Sequence, residues 1–192
     1  MLFKYIKLWI SLFLMAGALG VLSCSHTSLG SKVPDLAQAD SIQINNSWSG
    51  LALETKRHYS LQGQDKAFTG KAEFSVRSHS GEQPRQTTED IQVPLDAAQS
   101  FLRTLASLPL REGEYKPSRP NTDDYPSIDI TLVVKGETVV IFSRSQGKDH
   151  SPWGVKIKGK TFVAKSDLPA RALQGLAPYL KHDELQKLIE QR

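Results

Sequence analysis

The chain has 192 residues, of which 39% are apolar, 23% charged and 8% aromatic, with a formal net charge of +4 and a single cysteine. That is ordinary globular composition, so collagen-like, fully disordered and disulfide-stapled proteins are excluded. One long apolar stretch, Leu8 to Leu22, excludes a multi-pass membrane protein, and the length suits one domain.

The order of features at the N-terminus is that of an export signal. Lys4 and Lys7 stand without an acid, the apolar run Leu8 to Leu22 follows, and small residues lead to Cys24. A spanning helix needs about 20 apolar residues, so this run is short for a permanent anchor. Val21-Leu22-Ser23-Cys24 resembles the lipobox of bacterial lipoproteins. That resemblance covers residues 1 to 24. It implies cleavage before Cys24, a diacylglycerol on its thiol and usually an acyl group, such as palmitate, on the new amine. Two or three acyl chains hold a protein firmly at a membrane, where a single one is marginal. Ser25, and no Asp, follows the cysteine, which by the same resemblance points to the outer membrane where there is one. The alternative is cleavage near Ala16-Gly17-Ala18, leaving Cys24 a free thiol. With Cys24 modified no disulfide can form, and the exported fold must rest on its apolar core.

Removing Lys4 and Lys7 lowers the net charge to +2, and the basic surplus sits at the C-terminal end: residues 135 to 192 hold 11 basic and 6 acidic side chains. Nucleic acid is not an expected partner.

In chain order, residues 24 to 46 are small and polar and read as a tether, with a single domain over 47 to 192. Leu51, Leu53, Thr55, Arg57, Tyr59 and Leu61 alternate with polar residues, which predicts a strand; Phe68 to Arg77 gives a second and Asp90 to Val93 a short third. Ala98, Phe101, Leu102, Leu105 and Leu108 form one helical stripe, opened near Pro94 and Asp96 and closed by Pro109. A Pro-rich loop runs to Pro126. Ile128 to Leu132 and Val139 to Ser143 are predicted strands, followed by a hairpin of Trp153 to Ile157 and Thr161 to Ala164. Helices are predicted over Leu168 to Leu180, with Pro178 bending or splitting it, and over Asp183 to Glu190. The expected fold is α+β: an antiparallel sheet of hairpins with helices packed on one face, in the order strands, helix, strands, helix. This arrangement loosely resembles small bacterial domains of unknown function, an architectural likeness that carries no activity.

Chemistry is sparse. The five histidines make no H-x-H or H-E-x-x-H, so no zinc site is read and no cofactor is expected. Asp123 and Asp124 with Asp129 gather oxygens before a strand, as a calcium site would, but Pro126 stands where an EF-hand loop needs Gly; the plainer reading is turn chemistry. Residues 143 to 153 hold Ser145, Asp149, His150 and Ser151 beside Trp153, which makes Ser145 or Ser151 a candidate nucleophile with His150 as base. Ser145-x-x-Lys148 matches a β-lactamase-type motif, though a chain rich in serine and lysine produces such pairs by chance, and K-T-G and S-D-N are missing. The plainer reading is a polar turn anchored by Trp153. Lys156, Lys158 and Lys160 form a basic row that protects a sheet edge or, functionally, meets an anionic surface.

Two functional expectations follow. The first is a membrane-anchored, non-enzymatic binding module for an envelope protein or an anionic envelope polymer, contacting it through Lys156, Lys158, Lys160 and Trp153. The second is an envelope hydrolase with a serine nucleophile in the 143 to 153 loop.

Overall fold

Strict alternation of apolar and polar side chains builds most of this domain. The computed structural model describes residues 34–80, 83–118, 127–145 and 149–190, which belong to one compact unit beginning at Pro34. Cys24, Asp123, Asp124 and Lys148 lie outside the described residues. Among the described residues nine strands form a single sheet: β1 (Ser41–Ser49), β2 (Leu53–Gly63), β3 (Ala67–Ser78), β4 (Arg85–Pro94), β5 (Arg111–Glu112), β6 (Ser127–Val134), β7 (Glu137–Ser143), β8 (Trp153–Ile157) and β9 (Lys160–Ala164). Their spatial order is β4-β3-β2-β1-β6-β7-β8-β9-β5, and every pairing is antiparallel. The described residues also form three α-helices: α1 (Leu95–Ala106), α2 (Leu168–Leu176) and α3 (Asp183–Glu190). The domain is therefore α+β with an antiparallel sheet. Among the described residues no helix is long and apolar enough to cross a membrane.

Register turns these alternating strands into one apolar face. Because side chains repeat every second residue, directly paired residues share a face. Ala72 pairs with Tyr59, Tyr59 with Ile44, Ile44 with Ile130, Ile130 with Ile141, Ile141 with Val155 and Val155 with Phe162. That row crosses seven strands and every member is buried. A second row runs beside it through Gly70, Leu61, Ile42, Leu132, Val139 and Ile157. The opposite face carries Ser, Thr, Gln, Lys and Glu on β1 to β4.

The folded unit begins earlier than the composition suggests, at Pro34 rather than at residue 47. Residues 34 to 46 are not a tether: Leu36 is buried in a 3-10 turn capped by the Asp35 carboxylate, and β1 is a central strand of the sheet. Only Ile42 and Ile44 mark β1 in the sequence, since Gln43, Asn45 and Asn46 are poor strand formers. β4 extends to Arg85, well before Asp90, as an edge strand whose outer half is polar throughout. The two-residue strand β5 pairs with β9 inside the segment read as loop. Pro178 divides the predicted Leu168 to Leu180 helix into α2 and a 3-10 turn, Ala177–Tyr179, because it lacks the amide that α-helix needs.

Gly70 holds its place in the second row because nothing larger fits: a Cβ there would run into the Ser60 carbonyl oxygen on β2. Gly113, by contrast, has no neighbour within 4 Å of its would-be Cβ. Gly70→Ala is expected to destabilise the domain by roughly 1–3 kcal/mol in urea unfolding, with Gly113→Ala close to neutral.

Candidate functional site

The apolar face changes character at one end. In the third row, Phe74 pairs with Arg57, Arg57 with Asn46, and Asn46 with Ile128; in the fourth, Val76 pairs with Thr55 and Thr55 with Trp48. Strand alternation thus directs Asn46, Trp48, Thr55 and Arg57 to the side that elsewhere buries Ile44, Tyr59 and Leu61. A cleft of about 450 Å³ opens there. Its walls are Asn46 and Trp48 of β1 with Leu53, Thr55 and Arg57 of β2. Leu185 and Ile189, one turn apart on α3, and His150 from the β7–β8 loop close it.

Two polar atoms in this cleft are buried without a partner: Arg57 Nε and His150 Nδ1. Unsatisfied buried donors and acceptors cost about 1–3 kcal/mol each, more when charged, so a pair in one cleft calls for an explanation. His150 takes a positive φ of 53°, its carbonyl accepts a hydrogen bond from the Ser143 hydroxyl, and its ring stands edge-on to Trp153 at 6.2 Å. Among the described residues Arg57 has neither an ion pair nor a side-chain hydrogen bond. Its charge is nonetheless felt by its neighbours. Burial holds the His182 imidazole below its ordinary value and Arg57 adds to the effect, while nearby Asp183 opposes it. Burial also pushes the Tyr59 phenol up to about 12, with Arg57 opposing. The Tyr59 hydroxyl and His182 Nδ1 are hydrogen-bonded to each other at 3.0 Å.

The sequence-derived candidates lie elsewhere or are engaged. Ser145 is wholly buried; its hydroxyl donates to the Pro152 carbonyl (3.3 Å) and accepts from the Ser118 amide (3.2 Å). Tyr115 also bonds Ser145 (3.2 Å) while accepting from the Arg144 amide (2.7 Å). Ser151 receives its backbone contact from Asp149, whose carboxylate accepts from the Ser151 amide. No hydrogen bond among the described residues joins the His150 ring to Ser145, Ser151 or Asp149, so a nucleophile–base pair is not assembled here. Ser145 acts as a latch between the segment after β5 and the β7–β8 loop.

Trp153 is likewise a core residue: it is fully buried and its indole N–H donates to the Asp149 carbonyl at 3.0 Å, which leaves no surface for a partner. The lysine row is not a row of free cations. Lys158 pairs with Glu137 at 2.6 Å and Lys160 with Glu112 at 3.6 Å, while Lys156 stands over the Phe142 ring at 5.2 Å. Asp129 is held through both oxygens, at 2.8 and 2.9 Å, by one nitrogen of Arg144, which removes it from a metal set. Among the described residues no group of three or more His, Cys, Asp or Glu could hold a metal ion.

Arg57 is the residue that sequence reasoning passes over. Its signal is plain in retrospect, an arginine in the buried phase of a strand.

Two predictions follow. Ser145→Ala removes the latch and leaves the Pro152 carbonyl and Ser118 amide without this partner, so the melting point should fall by the equivalent of about 1–3 kcal/mol. The second concerns pH. Tyr59 ionises more readily unfolded than folded, so stability is complete below pH 10.0 and is lost as pH rises toward about 12. The two-unit shift is worth roughly 3 kcal/mol. His182 acts at the other end: below its unfolded value of 6.5 the unfolded chain takes up the proton first, so stability declines as pH falls. In pH-dependent urea titrations Tyr59→Phe should flatten the alkaline limb and His182→Gln the acidic one.

Compared with known proteins, the chain matches no family model, no curated protein and no solved structure.

Proposed function

We propose that the chain is a bacterial envelope lipoprotein, anchored through acylated Cys24, whose domain binds a ligand and performs no chemistry of its own. In this reading the helices lie on the apolar face of the sheet, α1 and α2 as a pair and α3 at the polar end. The observation that carries it is the cleft at Arg57 and His150: a sheet face that is apolar elsewhere keeps two unpartnered polar atoms at one end. Clefts of this size, mostly apolar with a few convergent polar groups, suit small molecules. A catalytic reading needs a nucleophile within reach of a base, and the hydroxyl of Ser145 is spent on other partners. The basic row Lys156, Lys158 and Lys160 is the weaker candidate surface, since two of its charges are already met by glutamates.

A lipid anchor confines such a module to a thin shell near the membrane and raises its effective concentration toward ligands there. Two outcomes test the proposal. Cells fed an alkynyl palmitate should label the wild-type chain and not Cys24→Ser, and that variant should leave the membrane pellet. A photoreactive benzoylphenylalanine at Ile189, irradiated in intact cells, should trap a ligand seen as an adduct mass, and the same group at exposed Glu112 should not. Adducts at Ile189 no more frequent than at Glu112 would reject the cleft as the binding site.

A further inference from the structure

Resting on the reading of this cleft as a ligand site, we infer that its ligand is an amphiphile with a single carboxylate head, seated on Arg57 and His150, and an apolar body against Leu53, Leu185 and Ile189. The argument begins with charge. Arginine stays protonated at any physiological pH, and among the described residues Arg57 has no carboxylate to balance it. Two other arginines are paired, Arg144 with Asp129 and Arg171, in the groove between α1 and α2, with Asp167 at 2.7 Å, while Arg77, Arg103 and Arg111, which have no ion pair among the described residues, are exposed to water. No Asp or Glu lines the Arg57 cleft. A cation in a partly desolvated site with no acid of its own is stabilised by an anion brought from outside.

Geometry narrows the head group. Arg57 Nε has no acceptor, so a planar, two-oxygen group bound through Nε and a terminal nitrogen would satisfy the donor that the protein leaves unmet. His150 Nδ1, also unpartnered and lining the same cleft, supplies a second contact once its tautomer places a proton there. A phosphate monoester would bring close to two negative charges to a cleft with one permanent cation, leaving the second buried and unmatched. A carboxylate brings one. The rest of the ligand is set by the other walls. Leu53, Leu185 and Ile189 are aliphatic and Trp48 presents an indole that is 37% exposed at the rim. A small hydrophilic anion such as acetate would satisfy Arg57 and leave the part-exposed Leu53, Ile189 and Trp48 facing water, whereas Leu185 is buried in any case, so the apolar body is part of the recognition.

The test uses the full chain, purified from membranes in dodecyl maltoside. Three photoreactive probes share one diazirine-bearing twelve-carbon chain and differ only in the head: carboxylate, alcohol or trimethylammonium. Adducts are mapped by mass spectrometry. The carboxylate should label residues 46 to 57 and 185 to 189 at least about tenfold more efficiently than the alcohol, as expected for a hydrogen bond to a charged group. Arg57→Gln should reduce carboxylate labelling to the level of the alcohol, Arg57→Lys should retain part of it, and His150→Phe should lower it less. If Arg57→Gln does not fold, the comparison of heads on the wild-type chain decides alone. Equal labelling by carboxylate and alcohol, or preference for trimethylammonium, would overturn the anionic head while leaving the cleft a ligand site. Absence of labelling there by all three probes would overturn the cleft itself.

Discussion

The pairing of β1 with β6 is the constraint on which the rest of this domain depends. All other neighbours in the sheet except β9 and β5 are joined by hairpins or short loops, and each hairpin fixes its own register. β1 and β6 are brought together from opposite sides of the α1 crossing, with Ser41 opposite Val133 and Ser47 opposite Ser127. A slip of one residue there would keep both meanders intact and set their apolar faces on opposite sides. Ile42 against Leu132 and Ile44 against Ile130 prevent it, because only this register buries all four. One pairing thus converts two half-sheets into a single face.

That face explains how a chain with one cysteine can be stable without a disulfide. Its buried side chains are almost entirely aliphatic and aromatic, and the few polar groups within it are tied to neighbours, as Tyr59 is to His182 and Ser143 to the His150 carbonyl. Polar intrusion is confined to one end, where Asn46, Thr55 and Arg57 replace aliphatic residues in the same alternation. The outer face follows another logic. Phe142 lies over Gly154, where a Cβ would strike its ring, and Tyr115 and Lys156 pack around it. This small cluster turns the segment after β5 back across the sheet, toward the Ser145 latch.

Much of the fold was legible because its signals are local. The α1 stripe from Ala98 to Leu105, the Lys158-Gly159 hairpin and the break at Pro178 each depend on residues close in sequence. β1 was not, since two isoleucines among Gln and Asn make a strand only when β2 and β6 flank it. The candidate site was not legible, because local chemistry pointed to another segment. Residues 143 to 153 drew attention as a dense set of reactive side chains, yet the Ser143 and Ser145 hydroxyls bind backbone and Tyr115. The lysine row looked free because Glu137 and Glu112 lie on strands whose adjacency no local pattern announces. Arg57 occupied a buried phase of the alternation in plain view; what could not be read was that Leu185 and Ile189, about 130 residues later, would wall it in.

The cleft therefore draws on both ends of the domain, the first hairpin and the final helix. A molecule held by Arg57 and by α3 at once can be released by letting that helix lift or by dismantling the sheet, and in both cases the contacts to the chain's last elements are lost first. On the proposed ligand-binding reading, occupancy would be thermodynamically linked to the docking of α3, so a bound ligand would protect the C-terminal helix from proteases in proportion to its concentration over its dissociation constant. Resistance of the tail to proteolysis becomes a gauge of whether the site is filled.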